Sequence, residues 1–396
     1  MLKWLTEEER ERLKKQYGLN PSANNNPILD EYMKRKREKR PLLASDKVYE
    51  LYYSLDLVQL WFQTPSCRFS QMGKCTMCNY WNGRRIPRLM EIMLPELSLP
   101  KDCQTILINT CGSCLDPIEV PIEDLIRLLK WLKHCPAKKV IFETHWTTLT
   151  SKTLELISSS LPHKKIMYEI GIESANSDTL FYLLNKPSSV IDIKKIINKI
   201  HQYNAEAIMN VIFGVPFLNP EEQIEDAVTS VKYLLENHVD YIVLFPVNIK
   251  PQTIFMDLHQ RGEYQTVPIR IISDILLGNF SDALEKINIA WFGDRSEEGV
   301  IPPKSCKNCR DRAIYLFQQY NLSETNLERK KILQQIHDIK CDCITTYLSE
   351  KKSGGVYDRI RQYYNLIKIM RDEQNEKNRS TSSYKYKLQF MLPSLL

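Results

Sequence analysis

Three cysteines crowd into one short stretch, Cys67, Cys75 and Cys78 in SCRFSQMGKCTMCNYW, and they constrain the chain more than any other feature. The spacing is C-x7-C-x2-C: two sulfurs close together, a third eight residues upstream, and Gly73 in the loop between. Thiolates at short, turn-rich spacings bind zinc or iron–sulfur clusters. Three rather than four matters, because a cluster held by three cysteines leaves one iron open to a substrate or cofactor. The competing readings are a zinc site that borrows a fourth ligand, and cysteines that only pack. The loop follows an apolar, strand-like run, Leu57 to Phe62, and continues into the aromatics Tyr80 and Trp81.

Around that loop the chain alternates. Short apolar β-rich runs fall at 57–63, 104–109, 139–144, 166–172, 206–213 and 240–249. Helix-period stretches such as Ile122–Lys133, Ser189–Tyr203 and Pro220–Glu236 separate them. Repeated βα units imply a parallel sheet with helices outside it. Six units predict an α/β fold, a partial (βα)6 barrel, with its chemistry at the carboxyl ends of the strands. Three regions are expected: an N-terminal helical extension over 1–45, the barrel over 46–290, and a small, mainly helical C-terminal domain over 291–396. The extension holds a charged amphipathic helix, the polar linker NPSANNNP and the basic run KRKREKR at 34–40. That run is read as a solvated helix face, with phosphate contact as the other reading.

Composition narrows the class. The 396 residues are 43% hydrophobic and 26% charged, which fits a soluble globular chain. No apolar run reaches the roughly 18 residues of a membrane span, so no membrane partner is expected. The first residues do not resemble a signal peptide. Eleven cysteines in such a chain point to metal and redox chemistry in a reducing, cytoplasmic setting rather than to disulfides. A net charge of +6 permits a nucleic-acid partner without demanding one. Four further cysteines, Cys306, Cys309, Cys341 and Cys343 in CKNC and CDC, suit tetrahedral zinc or an auxiliary iron–sulfur cluster, or bind no metal. Cys103 and Cys135 read as core residues.

With these residues in view, the chain resembles the radical S-adenosylmethionine (SAM) family that includes the archaeosine-forming enzymes (RaSEA), and more distantly the elongator-type radical SAM subunits. GKCTMCNYW is similar to the family's glycine-preceded CTMC-aromatic loop, and CGSCLDPIEVP (111–121) to its GSFLDP-x-E-x-P segment. YEIGIESANSDTL (168–180) resembles the IGLE-T segment, and LLNKPSS (183–189) the NKG stretch after it. VIFGVPFLNPEEQIEDA (211–227) and LFPVNIKPQT (244–253) are similar to PPFLTE-x-E-x-x-ED and INP-x-x-x-Q-x-T. The resemblance covers about 57–350. Departures fall at strand ends: SGSF becomes CGSC, ESRPE becomes ETHWT (143–147), and KPPFL becomes GVPFL.

The resemblance implies that Cys67, Cys75 and Cys78 ligate a 4Fe–4S cluster whose fourth iron binds SAM. It implies SAM contacts from Asn79 and Tyr80 at the adenine, from Gly112 and Ser113 with Asp116 at the methionyl part, from Glu173 at the ribose, and from Gly214 and Val215 along the adenine. An ordinary turn at Gly112 and a solvated helix start at Glu173 are the plainer readings. Cys111 and Cys114 could ligate a second cluster, donate a hydrogen atom or capture a substrate radical; simple packing is the alternative. His145, with Trp146, is expected to face substrate or to be a satisfied core histidine.

Three functions follow as expectations. The first is a radical SAM enzyme acting on a small molecule or peptide. The second is a tRNA-modifying radical lyase of the archaeosine-forming type. The third is a non-catalytic metal- or RNA-binding protein on a retired barrel. The first two need an electron donor such as ferredoxin or flavodoxin.

Overall fold

The computed structural model describes residues 3–38, 48–53, 57–80, 83–187, 190–290 and 299–390. The expected runs form a curved sheet. Its strands are β1 (Tyr49–Tyr53), β2 (Leu57–Phe62), β3 (Thr105–Asn109), β4 (Lys139–Thr144), β5 (Lys165–Glu173), β6 (Glu206–Phe213), β7 (Tyr241–Pro246) and β8 (Ile287–Ile289). They pair in sequence order, β1 antiparallel to β2 and every later pair parallel. The six expected strands are β2 to β7. The two edge strands were not expected, because both are short: YELYY has five residues, none of them fully buried, and INI only three.

Strand periodicity of two sorts the side chains into two faces. Val58, Leu60, Phe62, Ile106, Ile108, Val140, Phe142, Met209 and Val211 are buried in the hydrophobic core. The alternate positions carry Gln59, Asn109, Glu143, Glu169 and Asn210 on the other face. Helix Ile122–His134 shows why the outer layer forms: Leu125, Leu128, Leu129 and Leu132 are buried on one stripe, and Glu123 and Asp124 complement the dipole in its first turn. Helix Pro220–Glu236 starts at a capping box, in which the Asn219 amide N–H donates to Glu222 Oε2 at 2.7 Å.

Both termini of the described chain brace the barrel. Helix α1 (Glu7–Tyr17) ends at Gly18 with φ 67°, and Arg10 makes two bonds to the buried carboxylate of Asp178, both at 2.9 Å. Helix α2 (Pro27–Glu38) lies against the long C-terminal helix Val356–Phe390, where Arg371 meets Glu31 at 3.1 Å and Arg35 meets Asn375 at 2.9 Å. The basic run differs from its expected solvation. Lys34 is exposed, but Lys36 and Arg37 are buried, because the helical period turns them inward with Met33. Residues 39 and 40 of that run lie outside the described residues.

Among the described residues, no helix is long and apolar enough to cross a membrane. The C-terminal region is helical over Arg310–Leu322, Asn326–His337 and Cys343–Ser349, ahead of the long helix.

Candidate functional site

The cysteine loop leaves β2 at the carboxyl rim of the parallel strands. Cys67, Cys75 and Cys78 are each partly exposed. The loop is pinned from several sides. The Cys67 amide donates to Tyr80 O at 3.0 Å, the Cys75 amide to Asn185 O at 3.1 Å and the Thr76 amide to Leu184 O at 2.9 Å. Beneath it lies α2: Lys74 Nζ meets both Asp30 oxygens at 2.7 Å, and Asn185 Nδ2 donates to Asp30 at 2.7 Å. Gly73 has φ 83°, and a Cβ there would stand 2.4 Å from the Asp30 carbonyl oxygen. Only glycine lets the loop sit this close to the helix.

These sulfurs suit a polynuclear cluster. Burial raises the Cys67 and Cys75 thiols to about 11 and about 12, so thiolates form there only when iron or another cation replaces the proton. The Tyr80 amide points at Cys78 Sγ, 3.4 Å away, as a donor to a charged sulfur would. The three sulfurs are not all within 4.8 Å of one another, the approach that among the described residues only the C-terminal four cysteines satisfy.

The segment after β3 packs directly on the loop. A Cβ on Gly112 would stand 2.5 Å from both Glu119 carboxylate oxygens and 2.8 Å from Cys67 Cβ. Ser113 ties loops together: its amide donates to Glu119 Oε2 at 3.0 Å, and its hydroxyl lies 2.6 Å from Thr144 Oγ1 and accepts the His145 amide at 3.2 Å. Asp116, almost fully buried, pairs in bidentate fashion with Arg68 of the cysteine loop and caps the Ile118 amide at 2.9 Å. Its carboxylate thus anchors the loop. Cys111 and Cys114 are buried, and burial raises both thiols, Cys111 to about 11. Asn79 and Tyr80 follow Cys78 on the loop, and Lys250 Nζ lies 4.5 Å over the Tyr80 ring.

His145 faces the cysteine loop. Its ring lies 4.3 Å from that of Phe69, Nδ1 is 2.8 Å from Thr147 Oγ1, and Nε2 has no partner. Burial holds its pKa well below the ordinary value, so the ring is neutral. Glu173 sits at a register shift between β5 and β6, with φ 67°, and its Oε1 meets Lys186 Nζ at 2.9 Å. Gly214 and Val215 follow β6. The Gly214 carbonyl accepts the Tyr264 hydroxyl, and the Val215 carbonyl accepts Gln223 Nε2 at 3.1 Å.

Sequence reasoning passed over two features. Glu119 is buried, with Oε1 unpartnered, and burial raises it to about 8. Its signal was its place in LDPIEVP. The second is a polar row across the sheet face opposite the helices. Glu143 and Glu169 stand directly opposite each other in the β4–β5 register. Asn109 lies beside Glu143, and Asn210 Nδ2 donates to Glu169 Oε1 at 2.9 Å. Burial, then the Glu169 charge, raises Glu143 to about 8, and burial also raises Glu169. Asn109 and Asn210 each keep an unpartnered Oδ1. The missed signal was the alternation itself: N, E, E and N at inward positions of four strands.

Cys306, Cys309, Cys341 and Cys343 come together, all four sulfurs within 4.8 Å of one another. Cys306 Sγ and Cys309 Sγ are 3.6 Å apart, close to the tetrahedral edge of about 3.8 Å for zinc. Burial pushes Cys306 upward, but the hydrogen bonds of Cys309, Asn308 and Cys343 together outweigh it and bring the thiol down to about 7. Cys103 is buried and bonds the Thr105 carbonyl; Cys135 is partly exposed.

No family model matches the chain. Among curated proteins it is similar to archaeosine synthase subunit beta of Methanosarcina acetivorans, 24% identical over 282 residues, which covers 66% of this chain and 78% of the relative. The subunit of the same name from Thermococcus kodakarensis is 22% identical over 212 residues, covering 51% of this chain and 65% of the relative. Among solved structures, Streptococcus suis SuiB bound to S-adenosylmethionine aligns with a TM-score of 0.44 at 14% identity, covering 91% of this chain and 84% of that one. Methanocaldococcus infernus Elp3 aligns with a TM-score of 0.42 at 14% identity, covering 59% and 58%. At these scores neither structure adds to the fold described above. By sequence, the chain resembles the radical SAM family that includes archaeosine synthase subunit beta.

Proposed function

We propose that the protein is a radical SAM enzyme, with Cys67, Cys75 and Cys78 holding a 4Fe–4S cluster. The observation that carries this reading is the partly exposed sulfur trio at the barrel rim, on a loop pinned from beneath by α2. When bound, the cluster and SAM would supply radical chemistry, the removal of a hydrogen atom from substrate. The chain's own groups orient the reactants and exclude water. Gly112 permits close backbone approach beside Cys67, while Ser113 and Asp116 fix the turn. The unpartnered oxygen of Glu119, whose carboxyl burial keeps protonated near neutral pH, is a donor for an acceptor on the cofactor. Glu173 offers the oxygen that Lys186 does not use to the ribose, and Asn79, Tyr80, Gly214 and Val215 flank the adenine.

Substrate enters the polar face lined by Asn109, Glu143, Glu169 and Asn210. His145, neutral and with Nε2 free, stands at the same rim as an acceptor or donor. Cys111 and Cys114, as protonated thiols, are hydrogen-atom donors in this scheme. A donor of the ferredoxin or flavodoxin class provides the electron. The regions 1–45, 46–290 and 291–396 serve as extension, barrel and helical appendage. The C-terminal cysteines hold zinc, on the strength of their 3.6 Å sulfur contact. The free cysteines suit a reducing compartment such as the cytoplasm.

Two substrate classes remain. The relatives' name favours a tRNA-borne deazaguanine and a lyase reaction. The changed CGSC, ETHWT and GVPFL segments favour a small molecule or peptide, since they lie where specificity is made. The test is 5′-deoxyadenosine formation by the anaerobically reconstituted protein, with SAM and reductant, with and without tRNA carrying the lysine-modified deazaguanine. Strong stimulation by that tRNA selects the lyase. Turnover independent of tRNA selects the second class. A cluster-loaded protein that makes no 5′-deoxyadenosine refutes the radical SAM reading. Replacing Cys67, Cys75 or Cys78 by alanine is expected to abolish the product.

A further inference from the structure

The cations packed against the cysteine loop are not equivalent. Lys74 meets Asp30, Arg68 meets Asp116, and Lys186 meets Glu173. Arg37, near the end of α2, meets no carboxylate within ion-pair distance among the described residues. Its Nη2 donates to the carbonyl of Lys74, the residue before Cys75, at 3.1 Å. Nε and Nη1 are buried and have no hydrogen-bond partner among the described residues. The side chain is 8% exposed.

A buried guanidinium with two idle donors is costly unless an opposite charge stands beside it. Among the described residues, the largest opposing charges beside it are those the loop sulfurs would carry as thiolates. Burial weakens the guanidinium's charge; the opposing attractions come from Cys78, then Cys75, then Cys67, all ahead of Asp30. Asp30 is already engaged by Lys74 and Asn185. As neutral thiols the cysteines would leave Arg37 uncompensated. As iron-bound thiolates they form its counter-charge.

We propose that Arg37 is a charge-compensating residue for the cluster, held beneath the loop by α2 so that the reduced, more negative form is stabilised. The inference rests on the cluster reading above. One-electron reduction by an external donor adds a negative charge to iron already carried by three thiolates, and net charge nearby is one of the determinants of cluster potential. Removing the cation should therefore make the cluster harder to reduce. The extension then sets the electron affinity of the cluster as well as bracing the loop.

Two substitutions separate charge from mere support. Arg37→Gln keeps a donor for the Lys74 carbonyl and removes the charge; Arg37→Lys keeps the charge. Each protein is reconstituted anaerobically, iron and sulfide are counted, and the midpoint potential is read without SAM by mediated titration, following visible absorbance and the electron paramagnetic resonance of the reduced cluster. The expected result is a more negative midpoint for Arg37→Gln and a midpoint near wild type for Arg37→Lys. Loading of Arg37→Lys but not of Arg37→Gln supports the same conclusion, since the first variant keeps the positive charge and the second loses it. Equal midpoints in wild type and a fully loaded Arg37→Gln would overturn it. So would a shift of equal size in both variants, or failure of both to load beside a wild type that loads, because Arg37 would then be a prop. A wild type that binds no iron and sulfide sinks the cluster reading itself, and is recognised before any variant is compared.

Discussion

At the scale of single residues, the site is built from groups whose ordinary behaviour is suppressed. Glu143 shows this most directly. It faces Glu169 across neighbouring parallel strands, an arrangement that strand pairing disfavours for like charges. Burial and that charge raise its carboxyl from the ordinary 4.5 to about 8. The unfolded chain ionises near the lower value while the native state keeps its proton, so this group lowers stability as pH rises from 4.5 through 8. Glu143→Gln should remove that penalty. The variant's melting temperature is expected to exceed that of wild type more at pH 8 than at pH 5, by a difference worth about 1–2 kcal/mol once water at the sheet face is allowed for. A pH-independent difference would show that the pair ionises normally. Turnover of the variant should fall wherever substrate is held by that row.

At the scale of elements, the decisive contact joins α2 to the cysteine loop. Lys74 and Asp30 form a buried pair, and the loop backbone at Gly73 approaches the α2 backbone too closely for any side chain. Gly73→Ala combines a left-handed φ with a clash against the Asp30 carbonyl. It should cost about 2 kcal/mol or more, detectable in urea unfolding, and reduce the iron that the protein retains. Full iron loading with unchanged stability would mean that the loop does not depend on α2. The sequence placed the cysteines and the six central strands correctly, since thiol spacing and apolar runs are local signals. It did not reveal that KRKREKR turns two of its cations inward. A charge run looks the same whether it faces water or a site, and only its partners distinguish the two.

At the scale of the whole molecule, separate parts of the chain meet around one rim. Arg359, buried on the C-terminal helix, donates to the Phe217 carbonyl at 2.8 Å and pairs with Glu222, so the helix holds the loop after β6. The four C-terminal cysteines lie in the segments that lead into this helix. Purified protein is expected to carry about one zinc per chain in addition to its loop iron. Chelation of that zinc, or Cys309→Ser, should lower the melting temperature by several degrees while the loop iron remains. Extra iron and sulfide in place of zinc would assign a second cluster there.

The sequence by itself determined the βα alternation, the ligand loop after the first barrel strand and the two cysteine pairs near the C-terminus. These depend on residue type and short spacing, which need no partner to be read. Only the tertiary structure decided which charges meet. It set Glu143 against Glu169, gave Asp116 to Arg68 rather than leaving it open, aimed the free oxygen of Glu119 beside Cys67, and buried Arg37 beneath the loop. Each of these joins residues far apart in the chain or on different elements. Their energies depend on distance and burial, which no local pattern carries.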